Sequence, residues 1–569
     1  MNKSVRFYFE MNKLARRILL KPFRLFSDDS NYQRLDPIQH ILLRPEMYIG
    51  QIQPTISSIW IVEGKSMTKK DILYSPALLK IFDEILVNAT DNARRDSNTS
   101  NIDISTEILD GSDDIRITIK NNGKGIPIKI HDTEKIYIPE LIFGNLLTGS
   151  NFEVKDNSYT GGRHGYGAKL TNIFSKKFEI ETYDSQNRLL YKQSWENNML
   201  EKSPPIIKER KNMKDKDFTK ISFIPDLKRF GTSCLHSQDN SNLASIVDIM
   251  QLFERRAHDV AGCLPTVKVS FNSNKISYKS FLEYASLYCP ANESIDDRNK
   301  SNFIEYIDIN QKWQIAVLRS RFNDNEDHVS FVNTVWTSKG GSHVNAIQNQ
   351  IYKFVNGQLL SKKIVSSTTS IKSKFMLVIN SMVNNPCFDS QTKDTLTTRP
   401  TDFASYCALP DTFLSKVVKN SGILDDLVNE SLNRDKNRFI KKTKETSKLN
   451  IPKLDDAIHA GTSRSLECSL ILTEGDSAKA LAVAGLEVVG REFFGVMPLK
   501  GKIMNVRDSS PSTLVSNQEL LNLCKILGLR LEKNYSSNLE GLRYGHVVLM
   551  CDQDIDGSHI KVVIIFSMN

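Results

Sequence analysis

The sequence predicts a mixed α/β (α+β) protein built from several domains. Its 569 residues are enough for three or four domains of about 150 residues each. Helical and strand-like patterns alternate up to about residue 264, strand-like runs follow between Val267 and Ile379, and α/β alternation returns from Ser465. The composition, 40% hydrophobic and 25% charged, is that of an ordinary globular protein.

The net charge, the hydropathy and the cysteines indicate which kinds of partner and site the chain can have. A net charge of +9 suits a polyanionic partner but does not identify one. No apolar run reaches the roughly 18 residues that a membrane-spanning helix requires. The eight cysteines include no C-x-x-C pair and no Cys/His set with zinc spacing, so we expect free thiols in a reducing compartment.

Residues 1–27 form a basic, amphipathic segment that contains seven Lys or Arg residues and the single acid Glu10. An Arg-rich, acid-poor, amphipathic N-terminus is typical of a mitochondrial transit peptide. The alternative is a basic arm that contacts DNA or nothing. We favour the transit peptide and therefore predict a mitochondrial location, with the nucleus as the alternative.

The segment from Ser75 to Arg95 has the pattern of a helix with one polar face. Ser75 is a good N-cap and Pro76 suits the first helical position. Glu84, Asn88 and Asn92 are four residues apart and share a face. A carboxylate there can activate water and an amide oxygen can ligate Mg²⁺. By itself this pattern is common and identifies no site.

Two glycine-rich turns follow this helix at Asn121–Pro127 and Thr160–Lys169. Glycine permits close approach of the backbone to a ligand, and a glycine loop entering a helix offers N–H groups to phosphates. The residue pattern of a Walker A loop, G-x-x-x-x-G-K-[ST], is absent. Each turn alone could be a tight turn, but both turns in this order after the polar helix favour a nucleotide site.

Acidic residues follow two predicted buried strands near the C-terminus. Glu474 comes after Leu470–Leu472 and before a predicted helix over Ala478–Leu486, whereas Asp552 and Asp554 come after Val547–Met550. Carboxylates at strand ends of an α/β fold sit where ligands bind, and this set suits Mg²⁺. An EF-hand is excluded because its twelfth position would be Val rather than Glu.

Together these motifs resemble those of the GHKL ATPases. Their individual residues resemble eukaryotic-type DNA topoisomerase II more closely. The resemblance covers nearly everything after Tyr32. The stretches that carry it are Arg44–Gly50, Lys80–Asn88, Asn121–Gly125, Leu141–Gly144, Gly162–Lys169, Ser330–Asn333, Lys339–Val344, Phe388–Lys393, Glu474–Ala478, Leu499–Arg507 and Asp552–Gly557.

The resemblance implies a role for each matching residue of the nucleotide site. Glu84 is the catalytic base, Asn88 ligates Mg²⁺ and contacts the nucleotide, and Asn121 faces the adenine. His164 stands where the family usually has Asn. The other implied nucleotide contacts are Tyr32 in a strap that reaches the partner's nucleotide, Ser150 and Asn151 at the ribose, Gly162, Arg163, His164, Gly165, Tyr166, Gly167, Ala168 and Lys169 at the phosphates, and Gln391, Thr392 and Lys393 in the switch loop.

The resemblance also implies metal and DNA contacts outside the nucleotide site. Glu474, Asp552 and Asp554 correspond to the Mg²⁺ ligands of the TOPRIM domain. The implied DNA-binding residues are Lys362 and Lys363 in a basic loop and Lys502 and Asn505 in the stretch Leu499–Arg507.

The predicted architecture has five parts. They are a basic arm or transit peptide at 1–30, a GHKL (Bergerat) ATPase sandwich at 31–264, a ribosomal-S5-like transducer at 265–410, a linker helix region at 411–464 and a partial, Rossmann-like TOPRIM domain at 465–569. A single charged helix from Asp411 to Lys448 is expected, with Phe413, Val417, Ile423, Leu427 and Leu432 as its apolar side. The TOPRIM sheet is expected to run to Ile565 and Phe566.

The implied function is ATP-dependent control of DNA topology by passage of one duplex through another. This chain is expected to bind ATP and Mg²⁺, to form a homodimer that closes the entry gate for double-stranded DNA, and to hydrolyse ATP. It ends before the family's cleavage tyrosine, so we expect only ATPase activity from the chain alone. A second polypeptide that carries the cleavage domain is one of the expected partners. Alternatives are a fragment or a truncated, non-cleaving clamp or regulator. The acids after 465 argue against a heat-shock chaperone or a MutL relative.

Overall fold

The structure, a computed structural model, describes residues 35–149, 159–162, 165–210, 216–233, 244–289, 303–320, 327–444, 451–500, 516–530, 533–536 and 538–568. The chain forms two compact units. The first comprises the described residues up to Ile351 together with Ser373–Val417, and the second comprises Tyr352–Lys372 and the described residues from Val418 onward. Within the described ranges no helix combines the length and apolar character needed to cross a membrane.

The helices are numbered in chain order. They are α1 Pro37–Leu43, α2 Glu46–Ile49, α3 Pro76–Arg95, α4 Ile138–Gly144, α5 Gly167–Ile173, α6 Ile246–Cys263, α7 Phe281–Ser286, α8 Ser342–Ser361, α9 Thr368–Lys372, α10 Asp411–Ser421, α11 Ile423–Lys444, α12 Asp476–Val489, α13 Gln518–Leu527 and α14 Ile555–Met568.

The strands are numbered in the same way. They are β1 Thr55–Glu63, β2 Ser66–Tyr74, β3 Asn101–Ile108, β4 Ile115–Asn122, β5 Ser175–Asp184, β6 Leu189–Glu196, β7 Glu201–Lys202, β8 Ile206–Glu209, β9 Phe218–Pro225, β10 Thr232–Ser233, β11 Ala244–Ser245, β12 Lys268–Phe271, β13 Asn274–Ile276, β14 Ile304–Ile309, β15 Trp313–Arg319, β16 His328–Val332, β17 Val335–Trp336, β18 Phe375–Ser381, β19 Ser469–Thr473, β20 Phe494–Pro498 and β21 His546–Met550.

The first unit contains two large sheets and two small two-stranded sheets, β1-β2 and β10-β11. The larger has the order β13-β12-β3-β4-β9-β5-β6-β7, with β8 also paired to β6, and only the β12–β3 pair is parallel. Helices α3, α5 and α6 contribute to the core beside it. The smaller of the two large sheets has the order β14-β15-β18-β16-β17, and β18 at its centre is buried along its whole length. The strand predictions around Val267, Trp313 and Phe375 are confirmed to within one or two residues.

Helix α3 begins and ends as its sequence predicts. The Ser75 hydroxyl accepts a hydrogen bond from the Leu78 N–H, and Pro76 occupies the first turn. The helix is buried on more than the predicted apolar stripe, because it packs against α5, α6 and β4. Strand β4 shows the predicted alternation, with Ile115, Ile117 and Ile119 buried.

The second unit contains a parallel sheet of order β20-β19-β21. Strand β19 is buried at Leu470 and Leu472, as predicted, and α12 extends the predicted helix at both ends. Strand β21 has the predicted position, but its residues are exposed or half-buried, so the prediction of a buried strand there is wrong.

Two helix predictions need correction. The expected single helix from Asp411 breaks at Gly422, whose φ of 70° ends α10, and the Ser421 hydroxyl accepts from the Ile423 N–H where α11 begins. Leu432 is exposed rather than apolar core. Near the C-terminus, Ile565 and Phe566 belong to α14 and not to a sheet, because Asp554 caps a helix there through the Gly557 N–H.

Candidate nucleotide and metal sites

The polar face of helix α3 lines a cavity in the first unit. Glu84, Asn88, Asp91 and Asn92 all contribute to its wall, because a spacing of three or four residues places them on one side of the helix. The cavity has a volume of about 640 Å³, which lies within the range of roughly 300–1,000 Å³ found for small-molecule sites. The helix therefore presents two carboxylates and two amides to one enclosed space.

Glu84 lies between two lysine side chains. Its Oε1 atom is 2.7 Å from the Lys80 Nζ atom, one turn earlier, and 3.2 Å from the Lys393 Nζ atom. Burial alone raises the pKa of this carboxyl group, but the two ammonium groups outweigh it and lower the pKa to about 2. The Glu84 side chain is therefore an ion in this arrangement and a weak proton acceptor.

Lys393 lies 309 residues after Glu84 in the sequence, in the loop that follows strand β18 of the smaller sheet. Burial lowers the pKa of its ammonium group, and the Glu84 carboxylate offsets only part of that effect. Lys393 has a backbone φ angle of 63°, which residues other than glycine seldom adopt. The buried lysine is thus held by one strained loop against one carboxylate.

The neighbouring residues of this loop have separate contacts. Gln391 lines the cavity together with Lys393. The Thr392 hydroxyl donates to Asp394, and its methyl group lies 2.7 Å from where a Cβ atom on Gly50 would stand. The loop therefore packs on the glycine that ends the Arg44–Gly50 motif.

The glycine-rich segment meets helix α3 at two points. The carboxylate of Asp91 accepts hydrogen bonds from the N–H groups of Gly161 and Gly162, each at 2.9 Å. A Cβ atom on Gly167 would lie only 2.0 Å from Glu84 Oε2, so a side chain where α5 begins would displace the carboxylate. The segment is fitted closely to the helix at both ends.

The start of α5 offers donors to the cavity. The first helical bond runs from the Leu170 N–H to the Tyr166 carbonyl, so the N–H groups of Gly167, Ala168 and Lys169 have no acceptor within the helix. Lys169 is buried, and its Nζ atom donates to the Thr148 carbonyl at 2.6 Å. Burial lowers the pKa of Lys169 to about 8. This end of the cavity suits an anion.

Much of the remaining cavity wall is apolar. Asn121 on β4 is buried and stands opposite Thr219 on β9, and both side chains belong to the wall. Its neighbour Asn122 turns away and accepts from the N–H groups of Ser100 and Asn101. The apolar wall residues there are Ile85, Ile119, Ile126, Ile142, Phe143 and Ile221. A flat apolar ring with polar edges fits against this wall beside Asn121 and Thr219.

The acids of the second unit are only partly assembled. The N–H of Asp552 donates to Glu474 Oε2 at 3.1 Å, so these two residues meet at the carboxyl ends of β19 and β21. Asp554 Oδ1 instead accepts from the Gly557 N–H at 2.6 Å as the cap of α14. In the ranges that the structure describes, no three His, Cys, Asp or Glu side chains form a group able to hold a metal ion.

Comparison with known proteins follows the same division of the chain. Residues 75–190 match the family of histidine kinase-, DNA gyrase B-, and HSP90-like ATPases, residues 278–446 match DNA gyrase B, and residues 469–567 match the Toprim domain. The crystal structure of the ATPase and transducer domains of DNA topoisomerase II from Balamuthia mandrillaris is 37% identical, with a TM-score of 0.64. The match covers 72% of this chain and 100% of that chain. This chain belongs to the type II DNA topoisomerase family. The predicted family and the predicted α/β fold class are confirmed.

Two further members of the type II topoisomerase family define how much of a relative is matched. DNA topoisomerase 2 of Pisum sativum is 42% identical over 539 residues, which are 94% of this chain and 35% of that protein. DNA topoisomerase 2, mitochondrial, of Dictyostelium discoideum is 40% identical in an alignment 582 positions long, gaps included, which covers 93% of this chain and 44% of that protein. The chain thus spans less than half the length of these relatives.

The remaining residues predicted from the topoisomerase II motifs have varied positions. Tyr166 packs its ring against Tyr48, whereas Gly165 lines the cavity. Lys362 and Lys363 are exposed, just after the end of α8. The predicted residues that lie outside the described ranges are Tyr32, Ser150, Asn151, Arg163, His164, Lys502 and Asn505.

Three site residues of this topoisomerase II-family chain were not foreseen from its motifs. Lys80 carried a signal, since it stands four residues before Glu84 on the same helix face. Asp91 also had one, three residues after Asn88. Thr219 had none, because only the pairing of β4 with β9 brings it opposite Asn121.

Proposed function

We propose that this chain binds ATP in the cavity beside α3 and hydrolyses it, as the nucleotide-driven part of a type II DNA topoisomerase. The observation that carries the proposal is the meeting of Glu84 and Lys393, a buried acid and a buried lysine from distant segments, at the anion-accepting end of the cavity. A base and a phosphate-binding cation are the two groups that phosphate transfer to water needs.

The ends of the cavity suit the two ends of ATP. The adenine ring would lie at Asn121 and Thr219, against the apolar wall. The phosphates would take the N–H groups of Gly167, Ala168 and Lys169 and the ammonium group of Lys169. Gln391 and Lys393 would then meet the terminal phosphate. Residues 150, 151, 163 and 164 stay proposed contacts of the ribose and the phosphates.

Asn88 fits as the protein ligand of Mg²⁺. Its Oδ1 atom is the atom nearest to a Cβ position on Gly162, at 3.3 Å, so the amide oxygen faces the glycine loop. An amide oxygen is a hard ligand of the kind that Mg²⁺ takes beside phosphate oxygens. When bound, the ion neutralises phosphate charge, and Asn88 would hold it one turn away from Glu84.

The resting contact between Glu84 and Lys393 gives hydrolysis a nucleotide-dependent start. While Lys393 pairs with Glu84, the carboxylate binds a proton weakly, with a pKa of about 2. A terminal phosphate would draw the ammonium group away, leave Lys80 as the remaining partner and raise the pKa of Glu84. Glu84 then becomes a better base for the attacking water at the moment when the phosphate is in place.

The partners and the further sites follow from the family. We propose that the chain acts as a homodimer on double-stranded DNA, that Tyr32 reaches the partner's nucleotide, and that Lys362, Lys363, Lys502 and Asn505 contact DNA. Glu474, Asp552 and Asp554 are the proposed Mg²⁺ ligands of the TOPRIM domain. Glu474 and Asp552 already meet, whereas Asp554 caps α14.

The domain scheme and the location are also proposals. We propose the ATPase domain at 31–264, the transducer at 265–410, the linker at 411–464 and the TOPRIM domain from 465. A mitochondrial location is supported by the basic composition of residues 1–27. The nucleus is the alternative.

The direct test is phosphate release by the purified chain with ATP and Mg²⁺. We expect turnover that needs both, and a sharp loss in Asn88→Ala, whose amide oxygen is removed from the cavity. Asn274→Ala, at the exposed first residue of β13, is the matched control and should behave like the wild type. Absence of turnover in the wild type, or equal turnover in the two variants, would count against the proposal.

A further inference from the structure

The tight turn between β16 and β17 is strained and buried. Val332 pairs with Val335, which leaves Asn333 and Thr334 as the two turn residues, with φ angles of 52° and 67°. Two-residue hairpin turns of this kind favour glycine at the second position. A β-branched residue at positive φ is an outlier, because its side chain crowds the backbone. Both residues are almost fully buried.

Thr334 ties this turn to helix α3. Its hydroxyl oxygen lies 2.7 Å from the hydroxyl oxygen of Thr90, and its carbonyl accepts from Arg256 at 3.3 Å. Arg256 also donates to Asp83, the residue next to Glu84. The turn is thus bonded to the helix that carries Glu84 and Asn88, directly and through one arginine.

Asn333 ties the same turn to two loops of the nucleotide cavity. Its amide nitrogen donates to the Thr160 carbonyl at 3.4 Å, at the root of the glycine-rich segment, and to the Val383 carbonyl at 2.9 Å. Its amide oxygen accepts from the Val383 N–H at 3.0 Å. Val383 begins the segment that leads to Lys393. One side chain therefore holds the roots of both loops.

Close packing reinforces these bonds. A Cβ atom on Gly161 would lie 2.7 Å from Val87 of α3 and 2.8 Å from Val335, which follows the turn. Only glycine allows the loop root to pass between the helix and the hairpin. A shift of the turn would therefore move the loop root with it.

We propose that Asn333 and Thr334 are positioning residues for ATP hydrolysis, which hold the root of the glycine-rich segment and the root of the Lys393 loop in a fixed relation and so place Lys393 against the terminal phosphate. The inference rests on the proposed function. Neither residue lines the cavity, so both act through the elements that they hold. Strain retained at a buried, hydrogen-bonded turn is typical of a functional constraint.

The variant Thr334→Gly separates positioning from folding. Glycine relieves the strain of the turn, so stability should be kept or raised, yet the bond to Thr90 is lost and the turn becomes freer. We expect kcat for ATP to fall about tenfold, equal to about 1.4 kcal/mol in the barrier, with KM unchanged. Thr334→Ser keeps the hydroxyl and should restore most of kcat. Asn333→Asp keeps the acceptor for Val383 but loses both donated bonds, and its kcat should fall as well.

The turn between β12 and β13 provides a matched control. Asn272 and Ser273 there have φ angles of 47° and 69°, almost the same geometry, and Ser273 is exposed. Ser273→Gly should leave kcat and KM at wild-type values. The measurements are steady-state phosphate release and thermal melting of the full chain for all four variants.

The outcomes separate the inference from the proposed function. A fall in kcat for Thr334→Gly without loss of melting temperature, and its recovery in Thr334→Ser, support the positioning role. Equal kcat in Thr334→Gly and an active wild type overturn the inference alone, and so does a fall in kcat that simply follows a fall in melting temperature. An inactive wild type overturns the proposed function and this inference with it.

Discussion

Replacing Glu84 with glutamine tests the nucleotide site where it is most tightly held. The side chain is 4% exposed, and its carboxylate is shared by Lys80 and Lys393. Glutamine has nearly the same shape, so packing is kept while the negative charge is removed. The substitution therefore removes a proposed base and the counter-ion of two buried ammonium groups at once, and each loss has its own readout.

The catalytic readout is a single turnover of ATP with enzyme in excess. We expect phosphate release to slow by about a hundredfold or more, since a positioned general base contributes roughly 10²–10⁴-fold. ATP should still bind, because the donors at the start of α5 are unchanged. Glu134→Gln, at an exposed turn, is the control. Phosphate release at close to the wild-type rate in Glu84→Gln would refute the assignment of Glu84 as the base.

The second readout is stability. Removing one partner of a buried ion pair costs about 3–5 kcal/mol, and we expect the lower end, about 3 kcal/mol, because a buried lysine can release its proton. A terminal phosphate would supply new negative charge to Lys393. A non-hydrolysable ATP analogue should therefore raise the melting temperature of Glu84→Gln by more than that of the wild type. Equal shifts in calorimetry would contradict this exchange of partners.

Three further predictions concern other segments. Gly167→Ala should lower the rate of phosphate release strongly, because its Cβ atom would stand 2.0 Å from Glu84 Oε2; an unchanged rate would remove that contact from the account. Lys169 has a pKa of about 8, and phosphates would raise it, so binding at pH 8 should take up about half a proton and affinity should fall as the pH rises through 8. Calorimetry in buffers of different ionisation enthalpy measures this uptake, which Lys169→Arg should abolish. Residues 1–27 fused to a fluorescent protein should direct it to mitochondria, and a diffuse or nuclear signal would defeat the transit-peptide interpretation.

Local patterns predicted the helix and strands that build the nucleotide cavity. Ser75, Pro76 and the apolar spacing of α3 are short-range signals, and the structure has the helix where they indicate it. The alternation of β4 is another. These elements are predictable because capping, proline geometry and side-chain periodicity act within a few residues.

Errors arose where a tertiary contact or one backbone angle decided the structure. The break at Gly422 depends on a single left-handed residue within an otherwise helical pattern. The helix at Ile565 and Phe566 follows an apolar run that suits a strand or a helix equally, and the cap at Asp554 decides between them. The exposure of β21 is not encoded in its apolar pattern, because burial depends on what packs against the strand in the fold.

The contacts that matter most in the site join segments far apart in sequence. Nothing near Glu84 indicates that Lys393 reaches it, and the motif resemblance alone assigned that lysine to the terminal phosphate. The resting pair between them, the opposition of Asn121 and Thr219, and the bonds of Asn333 to both loop roots come only from the fold. Pairing of distant strands sets them, and pairwise register lies beyond local sequence rules.

Preference for a triphosphate over a diphosphate measures most directly whether Lys393 exchanges Glu84 for the terminal phosphate. Isothermal titration of a non-hydrolysable ATP analogue and of ADP, each with Mg²⁺, should be made on the wild type and on Lys393→Met. We predict that the wild type binds the ATP analogue about tenfold more tightly than ADP, or about 1.4 kcal/mol. Lys393→Met should lose that preference and keep its affinity for ADP. If Lys393→Met prefers the triphosphate as strongly as the wild type does, Lys393 does not bind the terminal phosphate and the central claim is wrong.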